Sequence, residues 1–281
     1  MKGTVLVRYT NGVGNNIFQY VFSRLLADRH GLNLSTDSLP ILDVNGQIFE
    51  LNPDLETVNI GLNELEYSKY FNDMEPCNFV VNTYGEDYTI YKPHIEEIRS
   101  WFADIPKTNQ EDLAFHLRLG DRLLYKRDHD PCMRVEPKEY AEVFKRFDYN
   151  RLHIYTDMED WKHIAEKEIT QMKFHVSISE EMAVPSSQAV DYFNSLVDVL
   201  DVYSPIVHCG GNVKDAFNAI RSFDKIMFQH STMSWWAAVL SHASRVGVFG
   251  PWRPIKGNRN KNLGRTDFPG WFSWGDEKWQ G

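Results

Sequence analysis

Apolar and polar positions along this chain follow two periods in turn, one short enough for strands and one matched to a helix. Residues 4–9 form a compact apolar run that predicts a strand, and a Gly/Asn turn is expected over 11–16. Residues 17–30 then place Ile17, Val21, Phe22, Leu25 and Leu26 on one face, as an amphipathic helix does. Residues 36–110 scatter Asn, Asp and Tyr among apolar positions and show neither period. The polar run 107–112 (KTNQED) reads as a linker.

Beyond that run the pattern sharpens. Strands are predicted over 113–117, 152–155, 173–176, 206–208, 226–228 and 246–249. Helices are predicted over 159–169 and 234–241, and through Val213, Ala216, Phe217 and Ile220 at i, i+3, i+4, i+7. Alternating strand and helix signals imply an α/β fold, a parallel sheet covered on both faces. Ligands of such sheets bind beyond the carboxyl ends of the strands. No internal repeat or low-complexity segment interrupts the pattern.

Composition narrows the class. At 281 residues, 42% of them hydrophobic, the chain suits one large globular domain or two medium ones. A formal net charge of -9 with no basic run argues against a nucleic-acid partner. Cys77, Cys132 and Cys209 are too far apart in sequence for a zinc site or a disulfide framework, and fit a reducing compartment. No stretch reaches the roughly 18 apolar residues of an integral membrane segment, and the first apolar run is too short for a signal peptide. The expected location is cytoplasmic, or peripheral to a membrane. A chain trimmed of a membrane anchor would read the same.

Three segments carry chemistry. In the first, Arg8 to Asn16, a strand end and a glycine turn with Gly14 and Asn15 open a helix. Main-chain N–H groups there can hold a phosphate; a plain tight turn with an Asn cap is the equal alternative. The dinucleotide pattern G-x-G-x-x-G fails at its third glycine, where Ile17 stands. In the second, Ala114 to Arg122, alternation puts His116 and Arg118 on one side of a strand and Leu117 and Leu119 on the other. A cation at a strand end can meet negative charge on a departing diphosphate; a simple Arg118–Asp121 ion pair is the alternative. In the third, Ile226 to Ala238, a strand leads through His230, Ser231 and Thr232 into a helix. Ser231 and Thr232 can cap it and face an anion, or cap it and nothing more; Trp235 and Trp236 read as core.

Together the three segments resemble glycosyltransferase family 11, the α-1,2-fucosyltransferases. That family typically shows GGLGNQxFQY, HxRRGD and NSTFSWW; here the segments stand, in the same order, as NGVGNNIFQY, HLRLGD and HSTMSWW. Ile154-Tyr155-Thr156-Asp157 resembles the family's strand end, Asp215 stands where an Asp opens the helix before the Ser-Thr turn, and residues 267–271 resemble the closing segment. Leu119 replaces the second Arg, Asn16 replaces Gln, His230 replaces Asn, and 177–212 is longer than is usual for the family.

The resemblance implies a GT-B-like fold, two Rossmann-like domains facing a central cleft. Residues 1–110 would form the N-terminal domain, mainly on the acceptor side, and 111–281 the nucleotide-sugar-binding domain. It implies an inverting fucosyltransferase that moves L-fucose from GDP-β-L-fucose to a glycan hydroxyl, with the 2-hydroxyl of galactose as expected acceptor. The donor is a substrate; no cofactor and no metal is expected. Arg118 would meet the diphosphate, helped by Gly14, Asn15, His230, Ser231 and Thr232, with His116 and Asp157 near the nucleotide. Asp121 is a base for the acceptor or an anchor for its own loop, and a Gly-Asp step at a strand end favours the anchor.

Transfer of xylose, rhamnose or galactose by the same chemistry is the alternative within enzymes. A carbohydrate- or nucleotide-binding protein without turnover is the alternative outside them. Asp128-His129-Asp130 is formally a metal-binding D-x-D, but it follows charged residues rather than an apolar strand and is set aside. Neither a phosphate-loop G-x-x-x-x-G-K-[ST] nor a nucleophile elbow G-x-S-x-G is present, which weighs against ATPase and hydrolase readings.

Overall fold

A computed structural model of the chain describes residues 2–62, 64, 66–126, 135–162, 164–171, 183–229, 231–249 and 268–274. The chain divides into two compact units, the first Met1–Asp104 with Pro254–Arg265 and the second Ile105–Arg253 with Thr266–Gly281.

In the first unit, strand β1 (Thr4–Val7) leads to helix α1 (Val13–His30) and then to β2 (Asn33–Ser35), β3 (Glu56–Ile60) and β4 (Cys77–Val81). Short helices α2 (Tyr88–Tyr91) and α3 (Ile95–Ser100) complete it. The strands lie in the order β2-β1-β4-β3, every pair parallel. Helix α1 buries the expected Ile17, Val21, Phe22, Leu25 and Leu26, and beyond that stripe also Phe18, Gln19, Tyr20, Ser23 and Ala27. It begins four residues earlier than expected. Gly12 is extended and caps it, with its carbonyl accepting from the Asn15 and Asn16 amides, so Gly14 to Asn16 form the first helical turn.

The second unit runs β5 (Asn109–Leu117), α4 (Pro137–Phe144), β6 (Leu152–Thr156), α5 (Glu166–Gln171), α6 (Ser186–Asp201), β7 (Ile206–Cys209), α7 (Val213–Arg221), β8 (Phe223–Phe228), α8 (Thr232–Val239), β9 (Arg245–Phe249) and β10 (Trp271–Trp274). The order β10-β9-β8-β5-β6-β7 is parallel throughout. The chain builds outward from β5 through β6 to β7, then returns to the other side of β5 and builds outward again. This doubly wound order reverses between β5 and β8, the place where such sheets bind ligands. Each unit is therefore a Rossmann-like α/β layer structure.

Two expectations change. Most of the polar run 107–112 is the first half of the central strand, which starts at Asn109, rather than a linker. The Thr108 and Asn109 amides donate to the Ser222 carbonyl, and Lys107 pairs with Asp224 beside β8. The helix expected over 159–169 shortens to α5, and the strand expected over 173–176 lies outside the described residues. Phe115, Leu117, Leu119 and Leu123 pack with Tyr140, Phe144, Phe193 and Leu196 on one side of the sheet. That packing covers one face and leaves the other to shape a site.

Candidate functional site

Register brings together what the sequence keeps apart. His116 of β5 stands opposite Phe228 of β8 and Tyr155 of β6, and Tyr155 stands opposite His208 of β7. Neighbours across a parallel sheet share a face, so His116, Tyr155 and His208 form a row near the carboxyl ends of three strands. A cavity of about 530 Å3 opens over that row. His116, Tyr155, Asp157 and His208 line it from the sheet, and Asn212 and Asp215 from the start of α7. Tyr155 stacks on His208, centroids 4.3 Å apart and planes within 8°. Burial pushes the Tyr155 phenol up to about 12, so it stays protonated.

His116 is buried, and its Nδ1 lies 2.5 Å from Ser234 Oγ on α8. Burial, and then the positive charge of Arg118, lower its pKa to about 3. The ring is neutral at physiological pH and ties β5 to the helix that follows β8.

Where β5 ends, the chain turns through Arg118, Leu119 and Gly120 into a 3-10 turn over Gly120–Leu124. Asp157, one residue past β6, grips this turn: its Oδ1 accepts from the Leu119 amide at 2.8 Å and the Gly120 amide at 3.2 Å. A Cβ on residue 120 would stand 2.6 Å from Asp157 Oδ2, so the close approach requires glycine there. Arg118 Nη2 donates to Asp121 Oδ1 at 2.9 Å; the carboxylate is 7% exposed and the guanidinium 31%. The ion pair considered as the alternative for this segment is thus formed, with about a third of the Arg118 side chain left exposed.

At the neighbouring strand end, Ser231 is the N-cap of α8, its hydroxyl accepting from the Ser234 amide at 3.3 Å. Thr232 is the first helical residue, half-buried. Trp235 and Trp236 are fully buried, which is the core reading. His116 and Asp157 line the cavity, whereas Arg118, Asp121, Ser231 and Thr232 stand at the same strand edge outside it. Leu119 belongs to the apolar cluster beneath the sheet, so the residue in place of the second Arg fills core and does not line the cavity.

In the first unit, Asn11 takes a left-handed conformation (φ 64°), which Asn tolerates better than most residues. Buried Gln19 holds this turn, accepting from the Thr10 amide at 3.1 Å and donating to its hydroxyl at 3.2 Å. Gly14 is buried and Asn15 half-buried in the first turn of α1. His230, Asp128 and Asp130 lie outside the described residues.

Sequence reasoning missed Tyr155 and His208, and with them the turn at Gly210, Gly211 and Asn212. Both glycines have positive φ, 60° and 85°, and open space where a side chain would be. Asn212 then caps α7 by accepting from the Lys214 amide at 2.8 Å. Strand, glycine pair, cap and helix N-terminus in succession form a backbone suited to an anion, and that signal was present in the sequence. Among the described residues no cluster of three metal-ligating side chains is found, and no helix is long and apolar enough to cross a membrane.

These features define an α/β protein with two Rossmann-like parallel sheets and, in the second unit, a cavity beside the reversal of strand order. No protein-family model and no curated protein sequence matches the chain. Solved structures similar to it include two glycosyltransferases. One is the bacterial iron-containing dodecameric glycosyltransferase TibC from enterotoxigenic E. coli H10407, at 10% identity and a TM-score of 0.40 over 88% of this chain. The present chain spans 58% of the length of that one. The other is NodZ α-1,6-fucosyltransferase soaked with GDP-fucose, at 12% identity and a TM-score of 0.38, covering 88% of this chain and 94% of that one. Likeness at this level assigns no residue.

Proposed function

We propose that the chain is a glycosyltransferase of GT-B type that takes a nucleotide diphosphate sugar, with GDP-β-L-fucose as donor. It passes the sugar, with inversion, to a hydroxyl of a glycan, the 2-hydroxyl of galactose being the expected acceptor. The observation that carries this reading is the convergence of the HLRLGD strand end, Asp157 and the Ser231–Thr232 helix start at one edge of one parallel sheet. In this reading the nucleoside occupies the cavity over His116, Tyr155 and His208, and the diphosphate extends toward Arg118 and the α8 N-terminus. The second unit is the nucleotide-binding domain and the first the acceptor side; Gly14 and Asn15 are the first unit's candidates for donor contact.

Transfer through an oxocarbenium-like transition state needs charge stabilisation on the leaving diphosphate and a base for the acceptor hydroxyl. Arg118 supplies the first, and Asp121 orients its guanidinium from a buried position. The Arg118–Asp121 pair also motivates a second reading, a binding protein without turnover in which the pair only closes a strand end. Calorimetric titration with GDP-, UDP- and dTDP-sugars, followed by a donor-hydrolysis assay, separates these. GDP binding with slow GDP-fucose hydrolysis is expected. Equal or tighter UDP binding would shift the donor to a xylosyl or galactosyl nucleotide, and binding without hydrolysis or transfer would favour the second reading.

A further inference from the structure

Away from the segments that carry the family resemblance, three titratable side chains form a line through the second unit. Asp112 sits in the polar first half of β5, yet its side chain is only 7% exposed. Its carboxylate accepts from Arg151 at 3.0 Å and from His153 Nε2 at 3.2 Å. Burial alone would raise its pKa; hydrogen bonds from Arg151 and His153 reverse this and hold it below the ordinary carboxylate value. On the other side of the imidazole, His153 Nδ1 lies 3.1 Å from His208 Nε2. The two rings are within 11° of parallel. Phe223 packs edge-on against both His153 and Tyr155, and Tyr155 stacks on His208, which restrains the orientation of both imidazoles.

Donor accounting fixes the protons. An ionised carboxylate only accepts, so His153 carries its proton on Nε2. A neutral His153 then offers a bare Nδ1, and His208 must donate to it from Nε2. Burial lowers the His208 pKa, which disfavours a second proton on that ring. His208 is left with an unprotonated Nδ1 on a ring that lines the cavity.

We infer that Asp112 and His153 are positioning residues that hold His208 as its Nε2–H tautomer, so that the cavity presents Nδ1 as an acceptor to an N–H or O–H group of its ligand. The choice of GDP as probe rests on the proposed function; the tautomer does not. The test uses the whole chain labelled with 15N-histidine, with long-range 1H–15N spectra reading the protonated nitrogen of each ring, free and with GDP. Wild type is expected to show His208 protonated at Nε2, with its Nδ1 resonance moving when GDP binds. Asp112→Asn, whose amide can meet either tautomer of His153, and His153→Phe, which removes the link, should both give a mixed population at His208. GDP affinity should fall about fivefold in each, the scale of one net hydrogen bond. A wild-type His208 protonated at Nδ1, or a tautomer population unchanged in His153→Phe, overturns the inference. If wild type binds no GDP, the nucleotide reading fails, while the tautomer in the free protein still decides whether the relay exists.

Discussion

His116 offers a test of the site that needs no substrate. Its ring is buried against Ser234, with a pKa of about 3, against an ordinary histidine value near 6.5. The unfolded chain therefore binds this proton far more readily than the folded one. The stability that the neutral ring contributes is complete above pH ~6.5 and is lost as the pH falls toward 3. At about 1.4 kcal/mol per pH unit, roughly 2 kcal/mol should be gone by pH 5. Other groups titrate in the same range, so the measurement is a difference. His116→Asn keeps a hydrogen-bonding group near Ser234 and cannot be protonated. Urea unfolding of both proteins, followed by the fluorescence of the buried Trp235 and Trp236 pair, should give a gap that narrows by about 2 kcal/mol between pH 7 and pH 5. Direct NMR titration of the ring should show it neutral throughout. A gap independent of pH, or a ring that titrates near 6.5, would refute the burial argument and place His116 in contact with water.

If Arg118 neutralises charge that develops on the leaving diphosphate, Arg118→Ala should lower kcat for donor hydrolysis roughly a hundredfold or more, with GDP affinity falling less. Arg118→Lys should recover only part of that loss, because the ammonium lacks the planar fork; near-normal turnover in the Ala variant would reduce the residue to a strand-end ion pair. Gly120→Ala should cost about 1–3 kcal/mol by driving Asp157 off the two amides it satisfies, and the same change in an Asp157→Ala background should cost clearly less. Equal costs in the two backgrounds, read by denaturant unfolding, would show that Asp157 does not constrain the glycine. Turnover should persist in excess EDTA, and complete loss restored by Mn2+ would return attention to Asp128 and Asp130.

Strands β5, β6, β8 and β9 were legible as short apolar runs because the residues toward their carboxyl ends are buried in succession, which gathers the apolar positions there. In the first unit β3 was not, since four of its five residues keep some or much of their surface in water and no run forms. Helix α6 carries a helical stripe of Ala189, Phe193, Leu196 and Leu200, but it lies in the stretch read only as extra length. The polar run 107–112 was misread because its polar side chains pair with Asp224, Ser222 and Arg151, partners remote in sequence. The strand-end motifs were visible because each is local. The aromatic row was not: His116, Tyr155 and His208 are joined only by strand register, which no local pattern records.

The placement of β5 has a consequence for how the chain comes off the ribosome. Its first pairing partner, β6, is synthesised soon after it, so half of the sheet can grow outward at once through β7. Its second edge stays open until β8 emerges; the Lys107–Asp224 bridge joins residues 117 apart in sequence. Throughout that interval a nine-residue strand with an apolar second half presents unpaired backbone groups, the kind of edge that recruits other chains. Non-local pairing of this sort also slows folding. The centre of the sheet is therefore covered on its second edge only once β8 has emerged, and the nascent second unit should be most prone to aggregate when synthesis pauses between β7 and β8.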